Sequence, residues 1–274
     1  MPNRAESPVA DILIEMKDAA PVRARIHGKR RAGAAAPIVV HFHGGAFVGG
    51  DLDSGECMAG LLVQAGAVVV SVAYPLAPEH RFPEAVEAGY AAVQWAYRHR
   101  ARLAGAGAPV HVAGDEAGGN LAAAVALIAR DRGHPPLAGQ ILVAPMLDPC
   151  VGTASLREST ECTAGCKWAD GWQQYLRGPM DAEHPYAVPG KATRLAGLPP
   201  ALVLSGHDDP MRDEAMDYAR RLREAGLAVI ADVLPDTTGW PDALVEPPPT
   251  ECPCATAVRD HLRTFFKTTT PPPA

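Results

Sequence analysis

Short apolar runs alternate along the chain with longer amphipathic segments, and this alternation predicts the fold class. Residues 67–72 and 141–143 are almost entirely apolar, which is typical of strands in a sheet that helices cover on both faces. Eight strands are predicted: Asp11–Met16, Val22–His27, Pro37–Phe42, Ala67–Ala73, Val110–Ala113, Gln140–Ala144, Ala201–Ser205 and Ala228–Val233. Strands that alternate with helices indicate an α/β protein with a mainly parallel central sheet.

Helical periodicity accounts for five of the intervening segments, and three other segments depart from it. The predicted helices are Ser54–Gln64, Glu84–Arg100, Gly118–Arg130, Asp213–Ala225 and Thr256–Phe266. Residues 150–198 lack strand character and predict a helical, cap-like insertion over the edge of the sheet. Residues 234–253 are rich in proline and predict a long loop, whereas the tail 268–274 is expected to be disordered. One domain over residues 1–274 accommodates this whole pattern.

The composition argues against several classes of partner. The chain has 274 residues, of which 47% are hydrophobic, and a net charge of −6. It has no basic stretch interleaved with aromatic residues, so neither nucleic acid nor an anionic membrane surface is expected to bind it. Residues 1–20 lack the apolar core of a signal peptide, and no segment approaches the length of a membrane span. A cytoplasmic location is therefore expected.

The cysteines do not predict a disulfide framework or a metal site. There are 6 cysteines, too few for a disulfide framework in a chain of this length. Cys162 and Cys166 form a CxxxC pair, and Cys252 and Cys254 form a CxC pair. Neither pair has the CxxC spacing of a zinc knuckle. We therefore expect free thiols, no metal and no cofactor.

Several motifs follow one another in a recognisable order. They are HFHGGAFVGG at 41–50, YPLAPEHRFP at 74–83, GDEAGG at 114–119 and DPMRDE at 209–214, followed by Leu-Pro at 234–235. Over residues 30–268 these motifs resemble the hormone-sensitive-lipase branch of the α/β-hydrolase family, which contains bacterial carboxylesterases. The resemblance implies the α/β-hydrolase fold with a mostly parallel sheet, flanking helices and a reduced helical cap. It also implies a small-molecule substrate and, because esterases of this branch often dimerise, a homodimer.

The resemblance assigns roles to the residues that match the family's motifs. Gly44 and Gly45 match the glycines whose N–H groups form the oxyanion hole. The N–H of the residue after the nucleophile, here Ala117, completes that hole. Asp209 matches the acid of the catalytic triad.

The other two triad positions depart from the family. Glu116 occupies the position of the nucleophilic serine, and no histidine occurs between His207 and His261, where the family's histidine follows the Leu-Pro pair. A serine hydrolase needs both the serine and the histidine that takes its proton, so that mechanism is not expected here. His207, two residues before Asp209, is the remaining candidate base.

Three hypotheses remain for Glu116. The N-terminus of a helix favours an ionised carboxylate, whereas burial beneath a cap favours the protonated acid, and this opposition is typical of a general acid/base. Beside an oxyanion hole, such a base suits elimination, isomerisation or cyclisation of a carbonyl compound in a biosynthetic pathway. We therefore expect a non-hydrolytic lyase, isomerase or cyclase. The alternatives are a catalytically inactive small-molecule binding protein, and a hydrolase that uses Glu116 as nucleophile or water-activating base.

Aromatic and hydroxyl side chains near the predicted site are candidates for substrate binding. Trp168, Trp172 and Tyr175 recur at i, i+4 and i+7 and so share one face of a helix. They form either an aromatic wall for the substrate or packing between cap and body. Trp240 lies near the vacated histidine position and is expected to fill or line the pocket, and Thr238 places a hydroxyl at the same mouth.

Overall fold

A single eight-stranded sheet forms the centre of the molecule. The structure is a computed structural model that describes residues 10–16, 19–30, 35–149, 152–158, 162–245 and 254–270. The strands are β1 Ala10–Met16, β2 Ala19–His27, β3 Ile38–Phe42, β4 Val68–Val72, β5 Val110–Asp115, β6 Gly139–Val143, β7 Ala201–Gly206 and β8 Val229–Leu234. Their order is β1-β2-β4-β3-β5-β6-β7-β8. Strands β3 to β8 run parallel, and β2 pairs antiparallel with both β1 and β4. All eight predicted strands and the α/β fold class are confirmed.

Helices flank the sheet on both faces. They are α1 Glu56–Gln64, α2 Glu84–Ala104, α3 Ala117–Asp131, α4 Ala154–Glu158, α5 Cys162–Tyr175, α6 Pro179–Ala182, α7 Arg212–Glu224, α8 Asp242–Val245 and α9 Ala255–Thr269. The five predicted helices are confirmed, and α4, α5 and α6 give the predicted insertion its helical character. The short helix α8 interrupts the loop that the proline-rich segment predicts, of which residues 246–253 lie outside the described residues.

The expectation of a disordered tail from residue 268 is wrong at its beginning. Helix α9 continues to Thr269, because its apolar side chains pack against the sheet and its last turn is anchored. The Thr269 Oγ1 lies 2.8 Å from the Nε2 of the buried His111. Residues 271–274 lie outside the described residues.

Two apolar layers enclose the sheet. On one face, α2, α3 and α7 bury side chains such as Val93, Leu121 and Tyr218. On the other face, α1 and α9 bury Met58 and Leu262 among others. Strands β3, β4 and β5 are buried at every position, as their nearly continuous apolar sequences predict. The parallel arrangement brings the carboxyl ends of β3, β5 and β7 to one edge, where ligand sites of open α/β sheets lie.

Two cysteines of the described residues differ in their bonding. Cys57 is a free thiol, but Cys254 is disulfide-bonded, so the expectation of free thiols is wrong for that residue. Sequence spacing carries no information about which thiols the fold brings together.

The described residues contain no cluster of histidine, cysteine or acidic side chains suited to a metal ion. The side chains of Cys150, Cys162, Cys166 and Cys252 lie outside the described residues. No helix in the described part of the chain is long and apolar enough to cross a membrane.

Candidate active site

A sharp turn between β5 and α3 presents the side chain of Glu116. The residue has φ 52° and ψ −117°, a region that costs a non-glycine residue roughly 1–3 kcal/mol. Close packing holds this conformation. A Cβ on Gly114 would overlap the Gly118 carbonyl oxygen, and a Cβ on Gly118 would overlap the Phe42 carbonyl oxygen. The small residues of the GDEAGG motif are therefore required by the turn itself.

The carboxylate of Glu116 is fully buried and held by donors from two elements. Its Oε2 accepts hydrogen bonds from the N–H groups of Gly45 and Ala46, the latter at 2.8 Å. Its Oε1 accepts a hydrogen bond from the Trp168 Nε1–H at 2.5 Å, and the Lys167 Nζ lies 3.8 Å away. One carboxylate oxygen thus lies against the loop after β3, and the other lies against helix α5.

The loop after β3 differs in one respect from the oxyanion hole that the sequence predicts. The Gly44 N–H donates to the Asp115 Oδ2 at 2.9 Å, so it does not point at the elbow. The N–H groups of Gly45 and Ala46 point there instead, because Gly45, with φ 117°, and Ala46, with φ 52°, turn the backbone through left-handed conformations. Ala46 therefore replaces Gly44 in the predicted pair of donors. Ala117 is the first residue of α3 and is buried, and its part in the hole stays a prediction.

A row of buried polar side chains supports this loop from beneath. Besides bonding Gly44, Asp115 lies with its Oδ1 3.0 Å from the His41 Nε2, and the His41 Nδ1 lies 3.2 Å from the Ser71 Oγ. All three side chains are buried. His41 and Ser71 are not among the residues predicted from the sequence. The available signal was one polar residue in each of two otherwise apolar neighbouring strands, IVVHF and VVVSV, and the two residues pair in register.

Helix α5 packs directly on the same loop. A Cβ on Gly171 would overlap the Ala46 carbonyl oxygen, so glycine is needed for this close approach. The Phe47 ring stacks on Tyr175 with centroids 4.0 Å apart and lies 5.0 Å from Trp172. Of the three predicted aromatic residues on this helix, Trp172 and Tyr175 pack the cap onto the body, whereas Trp168 binds Glu116.

Asp209 and His207, the other predicted catalytic residues, are not brought together. Asp209 is buried and accepts hydrogen bonds from the Ser205 Oγ at 2.5 Å and from the Met211 N–H at 2.9 Å. Burial raises the pKa of its carboxyl from 3.8 to about 7. The His207 side chain is 51% exposed, and its Nδ1 lies 3.2 Å from the Asp236 carbonyl oxygen. His207 therefore turns towards solvent, and the structure gives no support to its role as a base.

Thr238 and Trp240 have structural roles in the loop after β8. The Thr238 hydroxyl and N–H both donate to the Asp208 carboxylate, and the Thr238 Oγ1 accepts a hydrogen bond from the Trp240 N–H. The Trp240 side chain is buried in the apolar layer that includes Met58 and Leu244. The expectations that Trp240 fills or lines the pocket and that the Thr238 hydroxyl lies at its mouth stay predictions.

Trp168, which hydrogen-bonds Glu116, also lines a small cavity. A cavity of about 10 Å³ lies between Trp168, Trp172, Met146 and Met211, with Asp148 and Glu214 in its wall. Such a volume holds roughly one water molecule. A ligand that binds the N–H groups of Gly45 and Ala46 would have to displace the Glu116 side chain.

Comparison with known proteins places this site in a family. Residues 39–238 match the alpha/beta hydrolase fold family. The esterase LipI of Mycobacterium tuberculosis is 38% identical over 235 residues, which are 83% of this chain and 73% of LipI. The carboxylesterase NlhH of the same species is 37% identical over 206 residues, 70% of this chain and 62% of NlhH. The crystal structure of a thermostable esterase from Pseudomonas putida has a TM-score of 0.84 at 31% identity, covering 98% of this chain and 85% of the esterase.

These similarities correct the expectation of a non-hydrolytic lyase, isomerase or cyclase. The relatives and the structural neighbour are named esterases or carboxylesterases, and they point to hydrolysis rather than to a non-hydrolytic function. The expectation rested on a carboxylate at a helix N-terminus beside an oxyanion hole. That arrangement serves the activation of water as well as the removal of a proton next to a carbonyl, so the local pattern could not distinguish the two.

Proposed function

Because the chain belongs to the alpha/beta hydrolase fold family, we propose that it hydrolyses small carboxylic esters with a water molecule that Glu116 activates. The observation that supports this proposal is the position of the Glu116 carboxylate. It contacts the N–H groups of Gly45 and Ala46, at the place where the carbonyl oxygen of an ester would bind.

The proposal includes an altered catalytic triad. Glu116 stands in place of the family's serine, and no histidine follows Leu234 and Pro235 at the position of the family's base. A serine route is therefore closed. Attack by the Glu116 carboxylate itself on an ester carbonyl would give an anhydride that readily reverts, and the histidine that would activate its hydrolysis is absent. Activation of water avoids that intermediate.

The reaction begins with displacement of the Glu116 side chain from the loop. Rotation about its side-chain bonds frees the N–H groups of Gly45 and Ala46 for the ester carbonyl oxygen. The carboxylate then takes a proton from water as the water oxygen bonds to the acyl carbon, and the two N–H groups stabilise the resulting oxyanion. When the intermediate collapses, the bond to the alcohol oxygen breaks, and Glu116 returns the proton to that oxygen. The products are one acid and one alcohol.

Turnover by this route is expected to be slow. A positioned base contributes roughly 10²–10⁴ in rate, and each oxyanion donor contributes roughly 10²–10³. Against this, hydrogen bonds to a charged group are worth about 1.5–3 kcal/mol each, and the carboxylate must first give up those to Gly45 and Ala46. The resting arrangement therefore opposes the step that begins catalysis.

The test compares the hydrolysis of p-nitrophenyl acetate and butyrate by the unaltered protein and by Glu116→Gln. The amide keeps the size of the side chain but accepts no proton, so the rate should fall about 100-fold or more. Asp170→Asn is the matched control, because it makes the same chemical change at an exposed position of α5 and should leave the rate unchanged. Equal rates for the unaltered protein and Glu116→Gln, or no turnover above buffer, would refute the proposal.

A further inference from the structure

The loop after β3 and helix α5 together bond both oxygens of the Glu116 carboxylate. We propose that Gly45, Ala46 and Trp168 form a carboxylate-binding site, which Glu116 occupies as an internal ligand that an ester must displace. The claim that this internal ligand slows ester hydrolysis rests on the proposed function. The binding site itself is tested by measuring the binding of carboxylates, which requires no catalytic activity.

The donors serve both oxygens of a carboxylate. The loop N–H groups of Gly45 and Ala46 bind Oε2, as they would bind the one oxygen of an ester oxyanion. The Trp168 Nε1–H binds Oε1 from the opposite side, which an oxyanion hole does not require. The ammonium of Lys167, 3.8 Å from Oε1, adds positive charge. Hydrogen bonds to an ionised group are about twice as strong as neutral ones, so this set of donors favours an anion with two oxygens.

The donors stay in place without the Glu116 side chain. Asp115 fixes the Gly44 N–H at 2.9 Å, and Phe47 stacks on Tyr175 of α5. Glycine at position 171 allows α5 to approach the Ala46 carbonyl closely. Removal of the side chain therefore leaves a preformed cavity with its donors oriented, and a free carboxylate of matching size can fill it.

Helix α5 is also anchored to the rest of the protein beside Glu116. The Lys167 Nζ lies 2.7 Å from the Asp242 Oδ1 of helix α8 as well as near Glu116. Trp168 and Lys167 are adjacent on α5 and both approach the Glu116 Oε1, while the stacking of Phe47 on Tyr175 holds the helix in place when the carboxylate leaves. Loss of the Trp168 donor should weaken the internal ligand and leave the loop N–H groups open to substrate. Trp168→Phe is therefore expected to raise kcat/KM about 10-fold.

The test uses size-matched carboxylates as probes. Glu116→Gly removes a propionate-sized group at a residue whose φ of 52° suits glycine, and Glu116→Ala removes an acetate-sized one. By titration calorimetry, Glu116→Gly should bind propionate saturably in the millimolar range, and Glu116→Ala should prefer acetate to butyrate. Propionamide, which is neutral, should bind Glu116→Gly at least about 10-fold more weakly. The double variant Glu116→Gly/Trp168→Phe should likewise lose about 10-fold in propionate affinity.

Two results would overturn the site. One is equal binding of propionate and propionamide by Glu116→Gly, and the other is binding of propionate by the unaltered protein as tight as by the variant. If Glu116→Gly does not fold, amide hydrogen exchange at Gly45 and Ala46 tests the carboxylate-binding site instead. Exchange should be faster in Trp168→Phe than in the unaltered protein, and unchanged exchange would overturn the site. Propionate binding without Glu116-dependent hydrolysis would keep the site and refute only the proposed function.

Discussion

Replacement of Asp209 by asparagine should stabilise the protein, and the gain should depend on pH. The carboxyl of Asp209 is 1% exposed, and burial raises its pKa from 3.8 to about 7. Asparagine is neutral at every pH. Its amide oxygen can still accept the hydrogen bond from the Met211 N–H, and its NH₂ can donate to the Ser205 Oγ, whose proton then points elsewhere. The substitution therefore removes the titrating group with little change in shape.

The sign of this pH dependence follows from the pKa of Asp209, which is 3.8 in the unfolded chain and about 7 in the folded protein. Below pH 3.8 the folded and unfolded states both hold the proton, and Asp209 has no charge to bury. As pH rises from 3.8 to about 7, the unfolded chain loses the proton while the folded chain retains it, so the stability of the unaltered protein falls. Above pH 7 the loss is constant. A difference of about 3 pKa units at about 1.36 kcal/mol each gives an upper limit of about 4 kcal/mol for that loss.

The assay is urea unfolding of the unaltered protein and Asp209→Asn at about pH 5 and about pH 8. The variant should gain more stability relative to the unaltered protein at the higher pH. Asp170→Asn, at an exposed position of α5, should show no such difference. The same stability difference at both pH values, or a larger gain at the lower pH, would refute the reasoning.

Two further predictions concern packing and acid stability. Gly171→Ala places a Cβ against the Ala46 carbonyl oxygen, so it should lower the free energy of unfolding by about 1–3 kcal/mol. Gly178 has open space around it, so Gly178→Ala should not lower the free energy of unfolding. Equal losses in the two variants would contradict the close packing of α5. Burial lowers the pKa of His111 from 6.5 to about 3, so the unfolded chain gains a proton first and stability falls as pH decreases through this interval. His111→Gln should flatten that fall in acid unfolding curves, and an unchanged slope would show that His111 does not cause it.

Much of the fold could be predicted from the sequence because its signals are local. Apolar runs such as Val68–Val72 have few alternatives to a covered strand. The glycines of the GDEAGG motif limit the turn at Glu116 to a tight one. The ends of helices are harder to predict from the sequence. Helix α9 continues past Phe266 because Thr269 contacts His111, a residue far away in the sequence.

The details of the site could not be predicted because they depend on tertiary packing. The direction of the Gly44 N–H is set by backbone dihedrals that glycine leaves free and by the Asp115 carboxylate that fixes them. The spacing of the aromatic residues on α5 predicts a shared face, but it cannot show that Trp168 alone reaches Glu116. Sequence proximity likewise suggested that His207 serves Asp209, whereas the side chain of His207 turns towards Asp236.

The most direct test of water activation by Glu116 follows the oxygen atoms. The unaltered protein hydrolyses p-nitrophenyl butyrate in water enriched in oxygen-18. The mass of the peptide that contains Glu116 is then measured by mass spectrometry. If Glu116 only moves protons, its carboxylate keeps its original oxygens while the butyrate gains the heavy one, at a rate above that of Glu116→Gln. Heavy oxygen in the Glu116 carboxylate would mean that it bonds to the acyl group, and that result would contradict the proposed mechanism.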